Sequence, residues 1–189
     1  MAVVDEQVVL LSESGSAIGV APKATVHTAH TPLHLAFSCH IFDEAGRVLV
    51  TRRALAKRTW PGVWTNSFCG HPAPGEAMDA AVERRAAAEL GVTLESYTLA
   101  LPDFRYRAVD ASGVVENEIC PVYTARVTAG EGLLTPNPDE VMEYQWADPV
   151  LLLAAIEATP WAFSPWLTLQ LPRLAGLGLP GQVAGAAAL

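Results

Sequence analysis

Thr65-Asn66-Ser67-Phe68-Cys69-Gly70-His71-Pro72, running on through Gly75-Glu76 and Glu83-Arg84-Arg85-Ala86-Ala87-Ala88-Glu89-Leu90-Gly91-Val92, joins a polar glycine-spaced loop to a helix. Its first half sets a thiol two residues from an imidazole in a loop punctuated by glycine and proline. That setting points to a reactive site, the alternative being an inert buried cysteine. Its second half is alanine-rich, with Glu76, Ala77, Ala80, Ala81, Arg84, Ala87 and Ala88 at helical spacing. The spacing predicts a helix over 75–90 that Gly91 stops.

Outward from this segment the chain reads as α/β. Gln7 to Leu11 and Ala17 to Pro22 flank the turn Glu13-Ser14-Gly15-Ser16 as a hairpin. His34 to Phe42 and Arg47 to Arg52 repeat the pattern around Asp43-Glu44-Ala45-Gly46. Leu99 to Val109 and Val114 to Arg126 form a third pair around Asp110-Ala111-Ser112-Gly113, and Tyr144 to Trp146 is a further strand. Asp148 to Ala158 predicts a helix with Pro149 in its first turn, broken by Pro160.

The chain has 189 residues, 51% of them apolar, enough for one sizeable core. We expect one domain over 1–174, with 175–189, rich in Gly, Ala and Leu, as a disordered tail. No apolar run reaches about 18 residues, and Met1 to Glu6 lacks a basic leader, so a cytoplasmic location is expected. We also expect a monomer or weak homodimer. Three cysteines give no disulfide framework, which leaves Cys39 and Cys120 as buried strand residues.

A net charge of −8 disfavours nucleic acid and anionic membrane as partners. A small anionic ligand must then be held by local cations, and Arg52, Arg53, Lys57 and Arg58 supply a cluster just before the Cys69 loop. Alternation along a strand sends Arg52 and Arg53 to opposite faces, so both cannot reach one pocket. The same rule puts Glu116 and Glu118 on one face of a strand otherwise built from Val114, Val115, Ile119 and Val122. Two carboxylates so placed repel unless a cation or a proton sits between them.

From Gly70 the spacing is Gly-x5-Glu76-x7-Arg84, then Glu89, Gly91 and Val92, which resembles the Nudix box. Two of that box's carboxylates are replaced, by Arg85 and Ala88. A Nudix hydrolase holds several divalent ions with its glutamates, so this box should hold fewer, and Arg85 turns an acidic position into a phosphate anchor. Together with Thr65 to Pro72, Arg105-Tyr106-Arg107-Ala108 and Asp110, Glu116-Asn117-Glu118, and Trp161 to Trp166, the chain is similar to the type I isopentenyl-diphosphate delta-isomerases over residues 8–170.

That resemblance implies a Nudix-type α/β/α sandwich with a mixed sheet. It implies a metal site of His27, His34, His71, Glu116 and Glu118, whose donors suit Mn2+ or Zn2+. It further implies a Mg2+ carried with the diphosphate by Glu89, with Lys23, Arg53, Lys57 and Arg85 around the phosphates and Ser67 as an added contact. The reaction implied is the 1,3-allylic rearrangement of isopentenyl to dimethylallyl diphosphate, in isoprenoid biosynthesis, through a tertiary carbocation. Cys69 and Glu118 would move the protons, Tyr106 would hydrogen-bond Glu118, and Trp166, or Trp161 in its stead, would face the cationic carbon. Two other readings stay open: a Nudix pyrophosphohydrolase of a nucleoside diphosphate derivative, and a catalytically silent metal or diphosphate binding module.

Overall fold

The computed structural model describes residues 6–128, 130 and 132–179. The fold turns on three extended runs, each bent from one sheet into another. The first gives β3 (His34–Leu35) and β4 (Phe37–Phe42), the second β8 (Ser96–Leu101) and β9 (Arg105–Val109), the third β10 (Val115–Ile119) and β11 (Val122–Arg126). Each was expected as one continuous strand. Pro102 and Pro121 sit at two of the breaks, where a residue without an N–H cannot continue a ladder. Hydrogen bonds from Ala36 N to Ile119 O, Ser38 N to Pro121 O and Cys120 N to Phe104 O, at 2.9–3.0 Å, pin the three bends side by side.

One sheet has the order β2 (Ala17–Pro22), β1 (Gln7–Leu11), β3, β10, β9. The other runs β12 (Val141–Ala147), β5 (Val48–Arg53), β4, β11, β8, with β6 (Trp64–Thr65) paired to β5 and β7 (Phe68–Gly70) paired to β4. The β3–β10 and β4–β11 pairs are parallel and the others antiparallel, so both sheets are mixed. A short helix, α1 (Lys23–Val26), follows β2.

Alternation along β4 divides the interior. Phe37, Cys39 and Ile41 pack with Ala81, Val82, Ala86 and Leu90 of helix α2 (Met78–Leu90). On the other face Phe42 joins Leu152 and Ile156 of α3 (Pro149–Ala158) and Trp166, Leu167, Leu171 and Leu174 of α4 (Pro165–Gly176). The larger sheet is thus sandwiched between α2 and the α3–α4 pair, the α/β/α arrangement.

Local chemistry sets the helix ends. Asp148 caps α3 by accepting from Val150 N and Leu151 N, with Pro149 next. Ser164 caps α4 through Leu167 N, with Pro165 next. Gly91 ends α2 at φ 64°, and a Cβ there would stand 1.9 Å from Thr135 Oγ1. The expected start of the tail at residue 175 falls inside α4, and Leu179 beyond it is only 3% exposed, packed in the α3–α4 core. The rest of the tail, 180–189, lies outside the described residues. Among the described residues no helix is long and apolar enough to cross a membrane.

Candidate active site and metal centre

A cavity of about 410 Å3 opens beside the three bends, a size suited to a small ligand. Its lining includes Cys69, His71, Tyr106, Glu116, Glu118 and Trp166 together with Lys23, His27, Arg53, Lys57, Arg58, Arg85 and Glu89. Residues from the N-terminal hairpin, the sheet corner, α2 and α4 therefore converge on one space.

The three histidines come from separate elements. His27 caps α1, His34 begins β3 and His71 follows β7. Their ring centroids lie 5.1–5.8 Å apart. Glu118 Oε1 stands 3.4 Å from His34 Nε2 and 3.2 Å from His71 Nε2. Donor atoms of His27, His34, His71 and Glu118 all fall within 4.8 Å of one another. Glu116 is beside this group: its Oε2 is 3.0 Å from His27 Nε2, while its Oε1 accepts from the Thr59 hydroxyl at 2.8 Å.

Four buried atoms here, His27 Nε2, His34 Nε2, His71 Nδ1 and Glu116 Oε2, have no partner in hydrogen-bonding geometry. Buried polar atoms are rarely left so. On His34, Nδ1–H donates to Pro32 O at 2.9 Å, which leaves the Nε2 lone pair turned to the cluster, the usual outer-sphere arrangement of a ligating imidazole. The set fits a divalent cation of borderline softness. Burial pushes His71 down to about 4 against the pull of Glu118, so its ring is neutral at physiological pH, as a ligand must be. Burial works to raise the Glu118 carboxyl, but the adjoining His34 and His71 rings hold it well below the usual carboxylate range.

Cys69 is half-buried on β7, and its Sγ lies 3.2 Å from Asn66 Oδ1 and 3.3 Å from Ser38 Oγ. Burial pushes the thiol up to about 12, so it is protonated at physiological pH. The absence of a side chain at Gly70 matters: a Cβ would lie 2.7 Å from Arg85 Cγ and 2.9 Å from the Phe37 ring, so the close seat of α2 on β7 requires glycine. The remaining box residues brace this loop. Arg84 donates to both Glu76 oxygens at 2.7 and 2.8 Å and to His71 O at 3.2 Å, while Glu76 Oε2 accepts from Ala73 N.

Arg85 and Glu89, four residues apart, share the buried cavity face of α2, whereas Ala88 faces solvent. Arg85 donates to Glu89 Oε1, with Nε at 2.9 Å, and to Glu140 Oε1 at 3.2 Å. Lys57 pairs with the other oxygen of Glu140. Glu140, which the sequence reading passed over, so bridges two of the expected phosphate cations. Lys23 is paired with Glu6 at 2.6 Å.

Arg53 reaches the cavity while Arg52 turns away to Gly62 O and Glu143, as alternation requires. Arg53 is partly spent on structure: it donates to Thr59 O at 2.9 and 3.0 Å and stacks 5.4 Å from the Trp166 ring centroid. Trp166 also meets Tyr106 at 5.7 Å and Trp60 edge-on at 5.3 Å. Trp60 has φ 44°, unfavourable for a bulky residue, and is the one non-glycine with positive φ among the described residues.

Three expectations need correction. Ser67 does not reach the cavity: fully buried, its hydroxyl donates to Leu49 O and accepts from Ile41 N, both at 2.7 Å, stitching the 65–68 loop to the sheet. Tyr106 stands directly across from Glu118 on β9 and lines the cavity, yet the two side chains form no hydrogen bond. Trp161 is 80% exposed in the 3-10 turn before α4, outside the cavity that Trp166 lines.

The sandwich and the Gly70–Gly91 loop-helix unit define a Nudix-domain chain, and the NUDIX domain family model matches residues 32–167. Solved structures share the fold at low identity. A Deinococcus radiodurans protein aligns with TM-score 0.69 at 21% identity, covering 89% of this chain and 98% of that one. A MutT protein of Methanosarcina mazei aligns with TM-score 0.61 at 19% identity, covering 79% and 97%. Curated relatives sharpen the assignment. The isopentenyl-diphosphate Delta-isomerase of Clavibacter sepedonicus is 68% identical, over 89% of this chain and 87% of its own. That of Clavibacter michiganensis subsp. michiganensis is 65% identical over 97% and 96%, and that of Citrobacter koseri 56% identical over 87% and 90%. Within the Nudix proteins the chain belongs to the isopentenyl-diphosphate Delta-isomerase family.

Proposed function

We propose that the chain interconverts isopentenyl and dimethylallyl diphosphate, with Cys69 and Glu118 as the proton-transfer pair. The observation that carries this is the convergence of Cys69, Glu118 and Trp166 on the cavity that also holds Lys23, Arg53, Lys57, Arg58 and Arg85. The cations suit a diphosphate, and the Trp166 and Tyr106 rings suit a short hydrocarbon.

An unactivated alkene is a poor base, so the reaction needs a donor fixed against one carbon and a base against another. The alkene π pair takes a proton to form a new C–H bond, leaving a tertiary cation. Loss of a proton from the carbon on its other side returns an electron pair as the new double bond. No proton is consumed overall. The Cys69 thiol and the Glu118 carboxylate supply the two stations, and the Trp166 ring, which lines the same cavity, would stabilise the cation by about 2 kcal/mol.

His27, His34, His71 and Glu118, with Glu116 beside them, would hold Mn2+ or Zn2+, whose charge orients the Glu118 carboxylate and tunes its proton affinity. Glu89 lines the cavity and would help hold a Mg2+ brought in with the diphosphate, which would offset phosphate charge. Lys23, Lys57 and Arg85 are the diphosphate anchors, and binding would draw them from Glu6 and Glu140.

The alternative, a pyrophosphohydrolase of a nucleoside diphosphate derivative, needs several metals to place an attacking water. Arg85 and Ala88 stand where the box would carry two of the carboxylates. The test is incubation with isopentenyl diphosphate, Mg2+ and Mn2+, following the allylic isomer by proton NMR and phosphate release in parallel. Formation of dimethylallyl diphosphate is expected. Steady hydrolysis of it or of a nucleoside diphosphate derivative at about 1 per second, an ordinary enzymatic rate, would sink the isomerase reading.

A further inference from the structure

We propose that Asn66 is a positioning residue of the isomerisation, its carboxamide oxygen holding the Cys69 thiol and the Trp166 indole in one geometry. The inference rests on the roles assigned above to Cys69 and Trp166. Asn66 is 0% exposed and touches neither cavity nor solvent, so it acts through those two side chains.

The orientation of its amide is decided by its surroundings. The nitrogen end faces two backbone carbonyls, donating to Cys39 O at 2.9 Å and Phe68 O at 2.7 Å. Carbonyls only accept, so the amide cannot be flipped. The oxygen end then meets only donors: Trp166 Nε1–H at 2.9 Å, the Thr65 hydroxyl at 3.0 Å and the Cys69 thiol at 3.2 Å. An indole N–H can do nothing but donate, and this is its one bond. Trp166 lies 100 residues downstream on α4, so one oxygen ties the reactive loop to the helix that carries the aromatic face.

This is the geometry a carbocation enzyme needs. The proton station and the stabilising ring must be registered with each other to a fraction of an ångström, and a shift of about 1 Å can cost about 100-fold in rate. Registering both on one immobile acceptor achieves it. Since none of Lys23, Lys57 or Arg85 is bonded to Asn66, its loss should fall on turnover and spare diphosphate binding.

The measurement is kcat and KM for isopentenyl diphosphate in metal-loaded protein. Asn66→Ala, where circular dichroism shows it folded, should lower kcat by about 30-fold or more with KM within about threefold, a loss of alignment alone. It also strands two backbone carbonyls, so a second variant is needed in case it does not fold. Replacing Trp166 by 3-benzothienylalanine swaps N–H for sulfur in the same bicyclic ring and keeps its π face. That change should lower kcat by about tenfold at unchanged KM, as loosened registration predicts. In folded Asn66→Ala the same replacement should have no further effect, since the bond is already gone. Unchanged kcat on benzothienyl replacement, or a loss confined to KM in Asn66→Ala, overturns the inference while leaving the isomerase reading intact. If the unmodified protein does not isomerise the substrate, the reading itself fails and the inference falls with it.

Discussion

The Thr59 hydroxyl donates to Glu116 Oε1 at 2.8 Å, while the other oxygen of the same carboxylate stands 3.0 Å from His27 Nε2. One face of Glu116 is thus fixed by a buried neutral donor and the other is turned to the histidine cluster. Arg53 in turn holds Thr59 by its backbone carbonyl, so a residue expected at the phosphates also props the metal centre.

Thr59→Val keeps the shape and removes the donor. Outer-sphere partners of metal ligands typically contribute 10- to 100-fold in affinity, so we expect Mn2+ or Zn2+ to bind about tenfold more weakly. Thr59→Ser should restore it. Titration of the metal-free protein with a competing chelator measures this directly, and equal affinity in Thr59→Val would remove Thr59 from the centre.

How much of this was legible in the sequence follows from what each feature depends on. The Cys69–His71 loop and α2 were legible because local spacing alone makes them. The breaks in 34–42, 99–109 and 114–126 were hidden by apolar character that continues across each bend, with Pro102 and Pro121 as the available signals. Helix α4 was obscured by Pro165 and Pro172, although Trp166, Leu167, Leu171 and Leu174 already lie at helical spacing. Glu140 takes its meaning from Arg85, 55 residues away, and no local pattern marks it; Asn66 lies in the quoted loop, but its bond to Trp166, 100 residues away, is invisible to local spacing. Ser67 was drawn to the site by its neighbours in sequence, yet its hydroxyl is committed to the sheet.

Arg85 and Glu89 form a buried pair on α2. Arg85→Met leaves the Glu89 carboxylate buried without its main partner, a change that costs about 3–5 kcal/mol. In a domain of this size that is a Tm drop of about 6–20 °C. Adding Glu89→Met should return most of the stability, because an apolar pair replaces an ionic one, but activity should stay lost with the proposed diphosphate anchor and the proposed Mg2+ carboxylate both gone. Calorimetry on the single and double variants checks this; a double variant less stable than Arg85→Met refutes it.

His40, fully buried on β4, pairs among the described residues with Gln170 Oε1 at 2.9 Å. Burial pushes it down to about 4 from an ordinary 6.5, against the opposing pull of Gln170. Between those values the unfolded chain binds a proton that the folded chain does not, so stability is full above pH 6.5 and declines as pH falls toward 4. From pH 7 to pH 5 this one group should cost about 2 kcal/mol. Urea midpoints for the unmodified protein and His40→Asn at both pH values isolate it. The variant should lose less stability on acidification, and equal losses would show that His40 titrates normally.

Cys69→Ala and Glu118→Gln separate the two halves of the chemistry. Cys69 bonds only to Asn66 and Ser38, neither of which is a candidate metal ligand, so Cys69→Ala should leave metal content unchanged while turnover falls by about 100-fold or more, the scale for losing an acid or base. Glu118 is the carboxylate within reach of His34 and His71 and the proposed second proton station, so Glu118→Gln should lose turnover and metal together. The pair of measurements, metal per protein and initial rate of dimethylallyl diphosphate formation, gives each variant its own signature. Near-normal turnover in Cys69→Ala would remove the thiol from the reaction. Full metal content and full rate in Glu118→Gln would move both roles to Glu116, the other carboxylate on the same strand face.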